Sequence, residues 1–198
     1  MSSTTNPDPT SSSVPPDPGS GFDKDSGFLL KAGEAEHQLS LTELDSAALR
    51  ARISELPVGP DEEDMVRVEV TGAEGQHATL MRLNHPARIR VRGSLGDYAF
   101  AFNAQAVSKV FGDVGHGVAD GMISGSVRVR GNAGHGAGTS MTGGTLGIYG
   151  SAGDRAGASM RGGGIFVRGD VGDDIGLGAV AGTIVIGGNA GANLGDPH

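Results

Sequence analysis

The sequence contains no cysteine and no tryptophan, and aromatic residues make up only 4% of it. The absence of cysteine excludes disulfides, a thiolate zinc site, a cysteine nucleophile and any iron–sulfur cluster held by this chain. No run approaches the ~18 apolar residues of a membrane span, so no membrane association is expected. The N-terminus lacks the basic start and apolar stretch of a secretory signal, and a cytoplasmic location is the expectation. What is abundant is glycine: 36 of 198 residues, about 18% where roughly 7% is ordinary. Glycine disfavours the interiors of helices and strands, so this composition means either disorder or a repeat.

Residues 1–27 hold five of the nine prolines, with Ser, Thr, Asp and Gly making up most of the remainder. Such a segment buries too little apolar surface to offset its ordering entropy and is expected to be a disordered tail. Residues 28–65 form a strand–helix preface and linker. Gln38-Leu39-Ser40-Leu41 precedes a short helix that Asp45 can cap, with Leu49, Ile53 and Leu56 on one face. Pro57 and the Val58-Gly59-Pro60 turn end it, and the acidic run Asp61–Asp64 reads as a solvated loop. Val66, Val68 and Val70 alternate with Arg67 and Glu69, the pattern of a half-buried strand.

From residue 93 the glycines fall into register. Gly93, Gly112, Gly131, Gly150, Gly169 and Gly188 stand 19 residues apart, and a second set runs from Gly96 to Gly191 in step. Further columns are Gly138, Gly157, Gly176, Gly195 and Gly125, Gly144, Gly163, Gly182. Apolar residues keep the same period: Val91, Val110, Val129, Ile148, Val167 and Ile186 form one column, and Met122, Met141 and Met160 another. A period this short, with strand-like alternation inside it, describes coils of short strands stacked as a parallel sheet. The fold class is therefore all-β: a parallel β-helix over 66–198 of five to six coils. Crossover chirality favours the right-handed form. The first glycine column marks corners, where positive φ or close backbone approach is needed.

The period also disposes of tempting motifs. Gly134-His135-Gly136-Ala137-Gly138 resembles a dinucleotide loop, but each of its glycines belongs to a repeat column and no βαβ unit surrounds it. No P-loop and no calcium-binding nonapeptide is present. Asp97, His116, His135, Asp154 and Asp173 form a column whose members lie about one strand spacing apart. A metal cluster would need ligands enclosing an ion, and one row on one face does not provide that, so an exposed polar corner is the expectation and no metal site is assigned. No catalytic triad or carboxylate pair follows from spacing, and no catalytic or cofactor-binding residue is assigned.

Charge is unevenly distributed. Residues 1–87 carry 6 basic and 15 acidic residues, whereas 88–198 carry 9 and 8. Arg90, Lys109 and Arg128 share a column, and Arg92, Arg130 and Arg168 share another in which Phe111 and Tyr149 are interleaved. Alternating Arg and aromatic side chains can stack at cation–π distance. Arg92, Arg130 and Arg168 are thus either a stabilising ladder on an outward face or a docking surface. Nucleic acid is not an expected partner, because the chain is acidic overall and no basic domain backs the row.

The recurring unit, VRGNAGHGAGTSMTGGTLGIYG and again IYGSAGDRAGASMRGGGIFVRG, resembles the GXGXG β-helix domain that closes the large subunit of glutamate synthase. It is also similar to the stand-alone subunit of split glutamate synthase-like enzymes, including N-methylglutamate synthase. The resemblance covers about two thirds of the chain, and the RIRVRGSLGDYAFAFN opening favours this branch. It implies a non-catalytic structural subunit of an oxidoreductase complex in nitrogen metabolism. Its partners would be a glutamine amidotransferase subunit and an FMN-binding synthase subunit, with FMN and the iron–sulfur cluster on the partner, in a hetero-oligomer. A similar coil occurs in the β-helical subunit of formylmethanofuran dehydrogenase and its relative in the formyltransferase/hydrolase complex, which is the alternative. An independent polysaccharide lyase is disfavoured, because uniform coils leave no loops for a carbohydrate cleft. The chain departs from the family pattern in two places. Gly72 precedes Gly93 by 21 residues rather than 19, and the repeat stops partway through a coil at Asp196-Pro197-His198, where a partner subunit or a second copy of the chain is expected to cover the last coil.

Overall fold

The computed structural model describes residues 35–59 and 65–195. The expected tail at 1–27 and the acidic run Asp61–Asp64 lie outside the described residues. The chain forms a parallel β-solenoid of about six turns with roughly 19 residues per turn. In chain order its elements are β1 (His37–Ser40), α1 (Ser46–Ser54), β2 (Val66–Glu74), β3 (Ala87–Ser94), β4 (Val107–Val110), β5 (Ser126–Val129), β6 (Thr145–Ile148), β7 (Arg161–Val167) and β8 (Ala181–Ile186). The strands lie side by side in that order in one eight-stranded sheet, every pair parallel.

The period of the sequence becomes the register of the sheet: Val107 faces Ser126, Ser126 faces Thr145 and Thr145 faces Gly164. Every coil therefore points the same column inward. Val91, Val110, Val129 and Ile148 are fully buried, and Met122, Met141 and Met160 are buried in the same core. Leu95, Val114, Ala133, Ala152, Val171 and Ala190 form a second, one-residue-wide ladder of parallel bridges beyond the corner. At the β1 edge, α1 lies across the first coil. Asp45 Oδ1 accepts from the Ala48 N–H at 2.7 Å as N-cap. Ser46 Oγ donates to the His77 carbonyl and Arg50 Nη1 to that of Met81, while Leu49 and Ile53 are buried in the core. The sequence-expected helix face is thus the face that packs.

The structure refines the sequence expectation in three places. The coils of β4, β5 and β6 each have one four-residue strand and one bridge rather than several strands. The rest is a turn in which every second residue is left-handed: Tyr98, Phe100 and Phe102 (φ +58, +57, +56), then Gly117, Ala119 and Gly121 one coil later. This alternation aims successive N–H groups at opposite neighbours. Tyr98 and Phe102 donate to the following coil, at His116 and Asp120, while Phe100 donates to Thr79 in the preceding one. The turn is thereby hydrogen-bonded on both sides without being a strand.

Second, of the corner glycines only Gly93 has positive φ (+113). At Gly112, Gly131, Gly150, Gly169 and Gly188 a Cβ would fall closer than 3.0 Å to the preceding coil, at its backbone or at the side chain that follows its own corner glycine. Close approach, rather than backbone conformation, selects glycine there. Third, Gly93 does not face Gly72. The β2–β3 pairing keeps a 21-residue offset from Val66–Ala87 to Val70–Val91, then a bulge shortens it so that Ala73 faces Gly93. Gly72, at φ +70, absorbs the extra residue.

Candidate functional site

Two ladders of polar side chains run along the corner. The first is the His/Asp column of the sequence, lengthened by His77. The N–H of Asp97 donates to His77 Nδ1 (2.9 Å), that of His116 to Asp97 Oδ1 (2.8 Å) and that of His135 to His116 Nδ1 (2.9 Å). The N–H of Asp154 then donates to His135 Nδ1 (2.9 Å), that of Asp173 to Asp154 Oδ1 (2.9 Å) and that of Ala192 to Asp173 Oδ1 (2.8 Å). Each side chain supplies the acceptor for a backbone donor one coil further on, at a place where the strands have ended. To accept at Nδ1 a histidine must carry its proton on Nε2, which fixes the tautomer of all three rings. The His116 and His135 rings stack with centroids 5.0 Å apart. The histidine Nδ1 and aspartate Oδ1 atoms of this column face the backbone, and among the described residues no group of three or more His, Asp or Glu is arranged to hold a metal ion.

The second ladder was not read from the sequence. Ser94, Asp113, Asn132, Ser151 and Asp170 accept in turn from the N–H groups of Asp113, Asn132, Ser151, Asp170 and Asn189, at 2.7–3.1 Å. Its signal was present: a column one residue past the corner glycine made only of Ser, Asp and Asn, the side chains short enough to bond local backbone.

The third feature is the outer face of the sheet. Strand alternation turns Ile89 and Val91 inward and Arg90 and Arg92 outward, and register carries this around the solenoid. Arg90 faces Lys109, and Lys109 faces Arg128. In the neighbouring column Arg92, Phe111, Arg130, Tyr149 and Arg168 follow one another. Arg92 lies 5.1 Å over the Phe111 ring, with Lys109 at 5.1 Å and Arg90 at 5.5 Å from the same ring. Arg130 lies 4.7 Å over Tyr149. The interleaved stacking read from the sequence is therefore present for Arg92 and Arg130, and Arg168 is exposed one rung beyond Tyr149. The structure adds Arg90 and Lys109, packed beneath their neighbours at 7% and 6% exposure, to the same cluster. Glu69, one rung before Arg90, accepts from Arg92 Nε at 2.8 Å. Burial, followed by the charges of Arg130, Arg90 and Arg128, lowers the Lys109 ammonium from an ordinary 10.5 to about 8.

On the turn side, Tyr98 and Phe102 are half-exposed and their rings lie against Gly117 and Gly121, where a Cβ would collide with them. Arg82 stands 5.7 Å over Phe102. Nearby, burial raises the Asp120 carboxyl above the usual carboxylate range. Among the described residues no helix is long and apolar enough to cross a membrane. The chain matches no protein-family model, no curated protein and no solved structure.

Proposed function

We propose that this chain is a non-catalytic structural subunit of a glutamate synthase-type amidotransferase–oxidoreductase complex, in which it buttresses a glutaminase subunit and an FMN-binding synthase subunit in the cytoplasm. FMN and the iron–sulfur cluster belong to the partner in this reading, and the finer identity of the solenoid is that of the GXGXG domain. One observation carries the scaffold role. The polar columns that looked most like chemistry, His77 to Asp173 and Ser94 to Asp170, have acceptor atoms bonded to backbone N–H groups of the next coil. A side chain that holds the coil spacing is poorly placed to move during a reaction. The regular repeat, with its glycine corners, supports the family resemblance.

The test is reconstitution. Glutamine-dependent glutamate or N-methylglutamate formation is measured with glutaminase and synthase subunits, with and without this chain. Coupled turnover should require the chain, while glutamine hydrolysis and flavin reduction persist separately without it. Recovery of formyltransferase or formylmethanofuran dehydrogenase subunits on affinity purification would move the chain to that complex. Turnover or a stoichiometric flavin absorbance in the isolated chain would refute the structural role.

A further inference from the structure

We propose that the outer face of the sheet is a docking surface for an acidic protein partner whose carboxylates form a row parallel to the solenoid axis, as along one stripe of an α-helix. The inference stands whichever complex the chain serves.

The face is strongly one-signed. Arg90, Lys109 and Arg128 occupy consecutive rungs of one column, and Arg92, Arg130 and Arg168 occupy alternate rungs of the next. Glu69 is the one carboxylate in these two columns, and it is bound to Arg92. The aspartates of the same coils sit instead in the corner ladders or, as Asp120 and Asp174, in the turn, so the two signs of charge are segregated. A row of partner carboxylates would meet the exposed guanidiniums of Arg92, Arg130 and Arg168 along one side of the face.

Geometry favours a helix as the donor of that row. The exposed Arg92, Arg130 and Arg168 stand on alternate rungs, ~9.6 Å apart, and an acidic stripe repeats every two helical turns at ~10.8 Å, so three carboxylates drift about 2.4 Å across them, within the reach of the arginine side chains. The guanidiniums are also held in place beforehand. Phe111 and Tyr149 support Arg92 and Arg130, which reduces the rotamer freedom lost on binding. A nucleic acid fits less well. The rings that would stack bases are already faced by cations, and Asp113 and Asp170 line the adjacent corner. Lys109 supplies an independent signature. A carboxylate arriving beside an ammonium that titrates near 8 favours its charged form, so binding at about pH 8 takes up protons.

The full chain is titrated calorimetrically, in two buffers of different ionisation enthalpy, with a synthetic helical peptide carrying one glutamate stripe. The comparison ligands are the same peptide scrambled so that its glutamates encircle the helix, an oligothymidylate of equal charge, and phosphatidylserine vesicles. The striped peptide should bind about tenfold more tightly than the scrambled one, and more weakly at physiological salt than at low salt. Arg92→Gln/Arg130→Gln/Arg168→Gln should weaken it at least tenfold with an unchanged circular dichroism spectrum, and Arg155→Gln, in the turn, should not. Should the triple variant fail to fold, Arg168→Gln alone makes the same comparison at an exposed position. Lys109→Arg should bind without proton uptake. The proposal is overturned if a folded triple variant binds like wild type, if the oligonucleotide or vesicle is preferred, if the scrambled peptide binds equally, or if no protons are taken up.

Discussion

Gly131→Ala should be far more damaging than Gly136→Asn, although the second places a larger side chain on a residue with positive φ. At Gly131 the added Cβ meets Gly112 O at 2.7 Å and Gly112 C at 2.8 Å, both main-chain atoms of the preceding coil. No rotamer change relieves that contact; the coils must separate locally. Overpacking of this kind costs about 1–3 kcal/mol. Separation also stretches two bonds centred on the corner, Gly131 N–H to Gly112 O (3.1 Å) and Asn132 N–H to Asp113 Oδ1 (2.7 Å), each contributing about 1 kcal/mol. The total is about 3–5 kcal/mol. Gly136, at φ +69, has only the Thr139 hydroxyl near its missing Cβ, at 3.2 Å. Its equivalents in other coils are Tyr98, Arg155, Asp174 and Asn193, all left-handed, so the site accepts side chains. Asparagine tolerates this conformation, and a loss below about 1 kcal/mol is expected. Urea denaturation followed by circular dichroism measures both, and in thermal melts Gly131→Ala should lie about 6–20 °C below wild type. Equal losses for the two variants, or a Gly131→Ala within about 0.5 kcal/mol of wild type, would refute the close-approach explanation.

Three further substitutions test other parts of the solenoid. Ser108 is fully buried between Ile89 and Val127 and its hydroxyl has no hydrogen-bond partner, so Ser108→Ala should stabilise by about 1 kcal/mol in the same denaturation assay. Asp113→Ala removes the acceptor for Asn132 N–H and should cost about 1–2 kcal/mol, with Asp113→Asn recovering most of it and faster amide exchange at Asn132 in the alanine variant. Because Lys109 is lowered to about 8 in the fold, the unfolded chain binds more protons between about pH 8 and 10.5. This residue's contribution to stability should therefore rise with pH through that window. Lys109→Gln should abolish that contribution, read as a pH-independent advantage over wild type below about pH 8 that shrinks above it.

The 19-residue period alone determined that the chain stacks as a parallel β-solenoid. Side chains alternate with period two in a strand, so Val91, Val110, Val129 and Ile148 at equal spacing can share one core only if each coil repeats the last. The pairing of Arg92 with Phe111 and of Arg130 with Tyr149 was legible for the same reason, since adjacency along a column is spacing and nothing more. A period does not say which backbone donors lack a partner or how closely two coils approach. Both depend on the path of the chain through the corner, and only the tertiary structure decided them. It made Gly131 a contact glycine rather than a left-handed one, turned His116 and Asp113 into acceptors for the next coil, and moved Gly72 into a bulge. It also placed Arg90 and Lys109 on the face of Arg92. That juxtaposition joins two separate columns, and columns two residues apart share a face only where the backbone between them is extended.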